Sequence, residues 1–124
     1  MIVRGTTPTH TFTLPMDCDS LKAIRVVYAQ GEAVIIKKED ADLTCEGKRA
    51  TCTLTQAETL SLNAELRCEI QVRVLTSDGV ALAGRIIRED VGRCLDDDYM
   101  QPFLPGEPVI MTLDVGKLDK AILA

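Results

Sequence analysis

Aromatic residues are scarce in this chain of 124 residues, which has no Trp, two Tyr and two Phe. A hydrophobic core must therefore consist mainly of Val, Ile and Leu, and aromatic platforms that stack on sugars or bases are not expected. Basic residues are also in the minority, with 14 Lys and Arg against 19 Asp and Glu and a net charge of −5. This balance argues against binding to DNA or RNA, whose affinity comes largely from Lys and Arg at phosphates.

The chain lacks the cysteine patterns of a metal site or a redox motif. Its five cysteines are odd in number, and no two have C-x-x-C spacing. We expect them to be small buried hydrophobes in a reducing compartment, with no intramolecular disulfide and no bound metal. There is also no apolar run of the length that a signal peptide or a membrane span requires, so neither export nor membrane insertion is expected.

The clearest pattern that is present covers residues 66–76. Apolar side chains fall at every second position, and charged or polar side chains fill the gaps. Because a strand points successive side chains to opposite faces, this stretch is predicted to be a strand with one buried face. We expect Leu66, Ile70, Val72 and Val74 to be buried and Arg67, Glu69 and Arg73 to be exposed. The turn signal at residues 77–79 and the apolar run at residues 80–87 complete a predicted β-hairpin.

Other short apolar runs separated by turn residues predict further strands, at residues 9–14, 21–29, 33–36, 43–45 and 50–54. The sequence Thr55-Gln56-Ala57-Glu58 fits a capping box and predicts a helical turn that places Leu60 and Leu62 over the core. About seven strands with frequent turns are typical of an immunoglobulin-like antiparallel β-sandwich. We assign this domain to residues 1–95. A C-terminal extension follows at residues 96–124, with a predicted strand at residues 109–113 and a helix at residues 118–123.

Each candidate for chemistry has a simpler structural explanation. His10 is the only histidine and lies in a strand of threonines, which favours a structural or merely exposed side chain. Asp96, Asp97 and Asp98 lack the spacing of a calcium loop and are expected to be a solvated charge run. The acidic residues at turns are expected to form hydrogen bonds with their own backbone. These residues are Asp17, Asp19, Glu39, Asp40 and Asp42. Neither Cys45, Cys52 nor Cys68 belongs to a zinc-type pattern. We therefore assign no catalytic, cofactor-binding or metal-binding residue.

Several segments resemble the N-terminal domain of phage baseplate upper proteins. They are Arg4-Gly5-Thr6-Thr7-Pro8, Phe12-Thr13-Leu14, the strand at residues 21–26, the Leu54–Thr59 step and the strand at residues 70–76 before Asp78-Gly79. The resemblance covers about residues 4–95, although Thr7 stands where the family often has an acidic residue. It implies a structural protein of a virion, made in the cytoplasm of a bacterial host, with no catalytic residues.

Three classes of function follow, and the first is preferred. A tail or baseplate building block of a phage or prophage would act through contacts with other tail or baseplate proteins and would form a homo-oligomer within its assembly. The alternative is a small intracellular adaptor or ligand-binding β-sandwich that is not part of a virion. An enzyme ranks third, because no catalytic motif is present. We expect no cofactor, no nucleic acid and no membrane among the partners.

Overall fold

The computed structural model describes residues 1–100, so the strand and helix predicted at residues 109–113 and 118–123 lie outside the described residues. Two short 3-10 turns (Cys18–Ser20 and Asp40–Asp42) and one helix, α1 (Gln56–Leu60), interrupt the strands. The strands are β1 (Ile2–Val3), β2 (Thr9–Thr13), β3 (Leu21–Gln30), β4 (Ala33–Lys38), β5 (Thr44–Glu46), β6 (Arg49–Thr53), β7 (Cys68–Thr76), β8 (Ala81–Ala83), β9 (Ile87–Glu89) and β10 (Val91–Gly92).

The strands form two main antiparallel sheets. One has five strands in the order β4-β3-β7-β8, with β9 also paired to β7, and the other has three strands in the order β2-β6-β5. A short parallel pair, β1 with β10, joins the start of the chain to residues 91–92. Apolar side chains from both main sheets make one core. The chain is an all-β sandwich, as the alternating strands predicted.

Strand β7 is the centre of the larger sheet, with β3 on one side and β8 and β9 on the other. Ile70, Val72 and Val74 are buried and Arg73 is exposed, as predicted, whereas Glu69 is only partly exposed. The prediction for Leu66 is wrong, because this side chain is 45% exposed. It precedes the strand in a turn, where its amide donates to the Asn63 carbonyl oxygen at 3.2 Å. Alternation in a sequence does not mark where backbone pairing starts.

The predicted partner of β7 is not one continuous strand. Strands β8 and β9 pair with opposite ends of β7. The chain between them contacts β7 through two hydrogen bonds of Gly84. The amide of Gly84 donates to the Val72 carbonyl oxygen at 2.8 Å, and the Gln71 side chain donates to the Gly84 carbonyl oxygen at 2.9 Å. These two bonds hold the interruption against the centre of β7.

The predicted capping box is present at the start of α1. The Thr55 hydroxyl accepts from the Glu58 amide at 3.1 Å, and the Glu58 carboxylate accepts from the Thr55 amide at 2.8 Å. Leu62, just after this short helix, is 2% exposed and packs in the core. No helix within residues 1–100 is long and apolar enough to cross a membrane.

One cysteine prediction is wrong: Cys18 and Cys45 form a disulfide, with a Cα–Cα distance of 5.8 Å. The turn that holds Cys18 lies against the hairpin of β5 and β6, because the Cys18 amide donates to the Gly47 carbonyl oxygen at 2.7 Å. The two cysteines are 27 residues apart in the sequence, and only this packing brings them together. Among the described residues Cys52 and Cys68 are buried free thiols, as expected, and Cys94 is a partly buried one.

Candidate interaction surface

The only histidine belongs to a buried polar cluster between the two main sheets. Strands β2 and β6 bring His10 opposite Cys52, and β3 supplies Tyr28 from the facing sheet. Nδ1 of His10 lies 2.7 Å from the Tyr28 hydroxyl oxygen, which lies 3.4 Å from Sγ of Cys52. His10 and Tyr28 have no solvent exposure. A substrate therefore has no path to them, and the cluster contributes to packing.

Burial keeps the groups of this cluster in their neutral forms. Removal from water lowers the pKa of His10 to about 4, and the charge of the chain's amino terminus lowers it further. Burial raises the pKa of the Cys52 thiol, and it raises the pKa of the nearby Cys68 thiol to about 12. Since the thiolate is the nucleophilic form of cysteine, these two thiols are held in the unreactive form.

The acidic candidates make structural contacts rather than a metal site. Asp97 forms an ion pair with Arg4 at 2.5 Å, and Asp96 accepts from the Asp98 amide at 2.9 Å. Asp40 accepts from the Ile24 amide at 2.6 Å, and Glu39 with Asp42 forms a capping box around the second 3-10 turn. In residues 1–100 no group of three or more His, Cys, Asp or Glu side chains is placed to hold a metal ion.

The first residues of the C-terminal extension lie against the domain. Arg4 links them to α1, because its guanidinium also donates to the Leu60 carbonyl oxygen at 2.8 Å. The Gln56 side chain donates to the Met100 carbonyl oxygen at 3.0 Å and accepts from the Met100 amide at 2.7 Å. The described chain thus leaves the sandwich beside the start of α1.

Strand β4 is an edge of the five-stranded sheet and has an apolar, solvent-exposed side. Val34 is 58% exposed and Ile35 is 37% exposed. Both lie in the centre of the strand, between Ala33 at its start and Lys37 near its end. An edge strand has unpaired backbone amides and carbonyls, and an apolar one is suited to pairing with another strand. This strand is the candidate interaction surface of the domain.

The far end of β4 is fixed by an ion pair that reaches across the sandwich. The Lys38 side chain is buried, and its Nζ lies 2.7 Å from the Glu58 carboxylate at the start of α1. Burial acts to raise the pKa of Glu58, but hydrogen bonds from Lys38 and Thr55 outweigh it and the pKa is lowered. The charge pair therefore anchors β4 to the rest of the domain and leaves the preceding apolar residues at the surface.

An open cleft of about 330 Å³ lies on the outer face of the same sheet. Arg25 and Arg73 are directly opposite each other on β3 and β7 and both line it. Arg25 is paired with Glu39 at 2.8 Å, whereas no ion pair to Arg73 is found within the described part of the chain. Like charges directly opposite in a sheet repel each other, so an anion beside Arg73 would be stabilising.

One edge strand of the smaller sheet, β2, is less exposed than β4. Its outward side chains are threonines that pair with threonines of β6: the hydroxyls of Thr9 and Thr53 are 2.9 Å apart, and those of Thr11 and Thr51 are 3.4 Å apart. All five residues of β2 are buried or partly buried. The hydroxyl pairs satisfy each other, which makes this edge a poorer docking surface than β4.

Sequence reasoning did not identify Val34, Ile35 or Arg73 as functional candidates. The apolar stretch at residues 33–36 predicted a strand, but strand order alone decides whether a strand is an edge. The opposition of Arg25 and Arg73 depends on the register between β3 and β7. A signal for β4 was nevertheless present, because two lysines follow the apolar run and charged residues are common on edge strands.

Comparison of the chain with protein-family models, with curated proteins and with solved structures finds no match.

Proposed function

We propose that this protein is a non-enzymatic structural protein of a phage or prophage virion, a building block of the tail or baseplate that acts through protein–protein contacts. The observation that carries the proposal is the apolar edge strand β4, with Val34 58% exposed and Ile35 37% exposed. Domains that stay monomeric cover or charge such edges, whereas assembling proteins use them for strand addition. The resemblance of residues 4–95 to the N-terminal domain of baseplate upper proteins supports the same function.

The disulfide between Cys18 and Cys45 also supports a virion over an intracellular adaptor. Disulfides persist in oxidising surroundings and are rare in the cytosol, where thiols are kept reduced. A virion leaves the bacterial cytoplasm at lysis and meets an oxidising medium. An adaptor that stays inside the cell does not, and its Cys18 and Cys45 would remain thiols.

Purified particles provide the direct test. Particles from the phage or induced prophage that encodes the chain are banded on a density gradient and analysed by mass spectrometry and immunogold microscopy. We expect peptides of this protein at a fixed ratio to the major tail protein, gold label on the tail or baseplate, and defective tails when its gene is deleted. Protein that stays with the soluble lysate, together with normal particles after deletion, would contradict the proposal.

The alternative of a ligand-binding module is favoured by one observation, the cleft beside Arg25 and Arg73. The carboxylates of Glu39 and Asp40 also line this cleft, and Glu39 is paired with Arg25. Arg73 is therefore the group that would bind a small carboxylate or phosphate, because a guanidinium binds such anions in a bidentate way. NMR titration with inorganic phosphate and with succinate tests it. Saturable shifts of residues around Arg73 that disappear in Arg73→Gln would favour this function, and unsaturable small shifts would exclude it.

A further inference from the structure

We propose that strand β4 pairs with β4 of a second copy of this chain, antiparallel and across a twofold axis, so that two five-stranded sheets become one continuous sheet. The strand is at the end of its sheet, and the exposed side chains of Val34 and Ile35 leave its centre open to solvent. A twofold interface places the same surface on both partners, which a self-complementary strand satisfies. The inference does not depend on the virion role, because the isolated protein tests it.

A β-bulge in β4 determines which residues can meet. Tyr28 of β3 lies opposite Ile36, but its neighbour Ala29 lies opposite Val34, so Ile35 is an extra residue. Ile36 therefore lies on the inner face of the sheet with Tyr28, and Ala33 lies on the inner face with Gln30. On the outer face are Val34, opposite Ala29, and Lys37, opposite Val27.

One register satisfies both the faces and the charges. If Val34 of one copy lies opposite Ile35 of the other, Ala33 meets Ile36, and both are inner-face residues. Glu32, the turn residue directly before β4, then comes beside Lys37, and twofold symmetry repeats this pair of opposite charges at the other end. Directly opposite side chains of unlike charge stabilise an antiparallel pair.

The neighbouring registers are disfavoured. A shift by one residue places Lys37, on the outer face, opposite Ala33, on the inner face. A shift by two residues places Lys37 opposite Val34 and Glu32 beside Glu39, so the pairing of Glu32 with Lys37 is lost. Across residues 1–100 neither Glu32 nor Lys37 has an ion-pair partner within its own chain, so both are available to a second copy.

Lys37 would otherwise protect this edge. A lysine on an edge strand discourages pairing because its charge loses water when another strand approaches. In the proposed register the carboxylate of Glu32 replaces that water, so the same lysine selects a second copy of this chain over an unrelated strand. Specificity of this kind combines an attractive pair with repulsion of other partners.

Light scattering after size exclusion, over a series of concentrations of the purified full chain, tests the proposal. We expect a dimer for the unchanged protein and a monomer for Val34→Lys. The matched control is Val80→Lys, because Val80 is also an exposed valine, at 48%, but lies outside β4. This control should remain a dimer. Hydrogen exchange should slow at the amides of β4 as the concentration of the unchanged protein rises.

The charge pair is tested by exchange of its two members. Lys37→Glu puts two carboxylates opposite each other and should raise the dimer dissociation constant roughly tenfold or more. The double variant Glu32→Lys with Lys37→Glu should bring the constant back to that of the unchanged protein. Circular dichroism and the melting temperature of the single variant, compared with those of the unchanged protein, show whether it is folded.

Three results would overturn the inference. The first is an unchanged protein that stays monomeric up to its solubility limit. The second is a dimer that survives Val34→Lys, or one that Val80→Lys disrupts equally, since either places the interface elsewhere. The third is a double variant whose dissociation constant does not return to that of the unchanged protein. This result would exclude the pairing of Glu32 with Lys37.

Discussion

The hydroxyl of Tyr28 and Nδ1 of His10 share a hydrogen bond of 2.7 Å that joins the two main sheets across the core. Tyr28 belongs to β3 of the larger sheet, and His10 belongs to β2 of the smaller one. Their rings also pack together, with centroids 5.7 Å apart. In a core that has few aromatic residues, this contact links the two sheets directly.

Loss of the Tyr28 hydroxyl should destabilise the fold. In Tyr28→Phe the ring remains, but Nδ1 of His10 and the thiol of Cys52 both lose their hydrogen-bond partner. Buried polar groups without partners cost about 1–3 kcal/mol, so the urea midpoint should fall clearly. Tyr99→Phe is the control, because Tyr99 is 50% exposed and should tolerate the change. Equal midpoints for the two variants would contradict a role for this contact.

The free energy of unfolding should decrease as the pH is lowered, over a pH range that the pKa of His10 sets. Its pKa is about 4 in the folded chain, below the ordinary value of 6.5 for a histidine in water. Above pH 6.5 the ring is neutral in both states and contributes no pH dependence. As the pH falls from 6.5 towards 4, the unfolded chain takes up a proton that the folded chain refuses, so the free energy of unfolding decreases, by about 3 kcal/mol in full.

The His10→Asn variant isolates this effect, because an amide can still bond Tyr28 but does not titrate in this range. Denaturant unfolding of both proteins is measured from pH 7.5 to pH 5. This range lies above the pH at which most carboxylates titrate. The difference between them should grow as the pH falls. Parallel pH profiles would mean that His10 is not buried in its neutral form.

The two faces of the central strand should respond differently to truncation. Ile70 has no exposure and Val72 is 1% exposed, so replacement of either by Ala should cost about 1–4 kcal/mol. Leu66→Ala should cost much less, because Leu66 is 45% exposed. Glu69→Ala removes only a surface pair with Arg88 and should cost about 1 kcal/mol or less. Chemical denaturation ranks the four, and equal losses at Leu66 and Ile70 would reject the assigned facing.

Thiol counting should find the disulfide. Unfolded protein kept free of reductant should react with a thiol reagent at three cysteines, and reduced protein should react at five. The double variant Cys18→Ser with Cys45→Ser should give three in both conditions. Loss of this cross-link should lower stability by up to about 3–4 kcal/mol, as a loop of this length implies. Five reactive thiols without reductant would restore the prediction of no disulfide.

Truncation should separate the roles of the C-terminal extension. A chain that ends at Leu95 loses the contacts of Asp97 with Arg4 and of Met100 with Gln56. We expect this shorter chain to melt at a lower temperature than a chain that ends at Met100, which keeps these contacts. Light scattering of both against the full chain then reports whether residues 101–124 contribute to oligomerisation. Identical melting and identical mass for all three would mean that the extension neither stabilises nor assembles the protein.

The sequence by itself determined the local features of this protein. Alternation predicted β7 and its buried face, because side-chain direction follows the backbone period directly. Short apolar runs between turn residues predicted β2 and β3. The Thr55 and Glu58 capping box was predicted correctly, because all of its bonds form within four residues. The sandwich class followed from the number and spacing of such strands.

Only the tertiary structure decided the features that depend on residues far apart in the chain. The disulfide requires the turn at Cys18 to lie on the β5–β6 hairpin, and the exposure of Val34 requires β4 to be an edge. The contact between His10 and Tyr28 requires two sheets to face each other. These outcomes depend on strand order and sheet packing, which are set by the free energy of the whole core. A local pattern carries no record of them, because the same alternating strand can be central or at an edge.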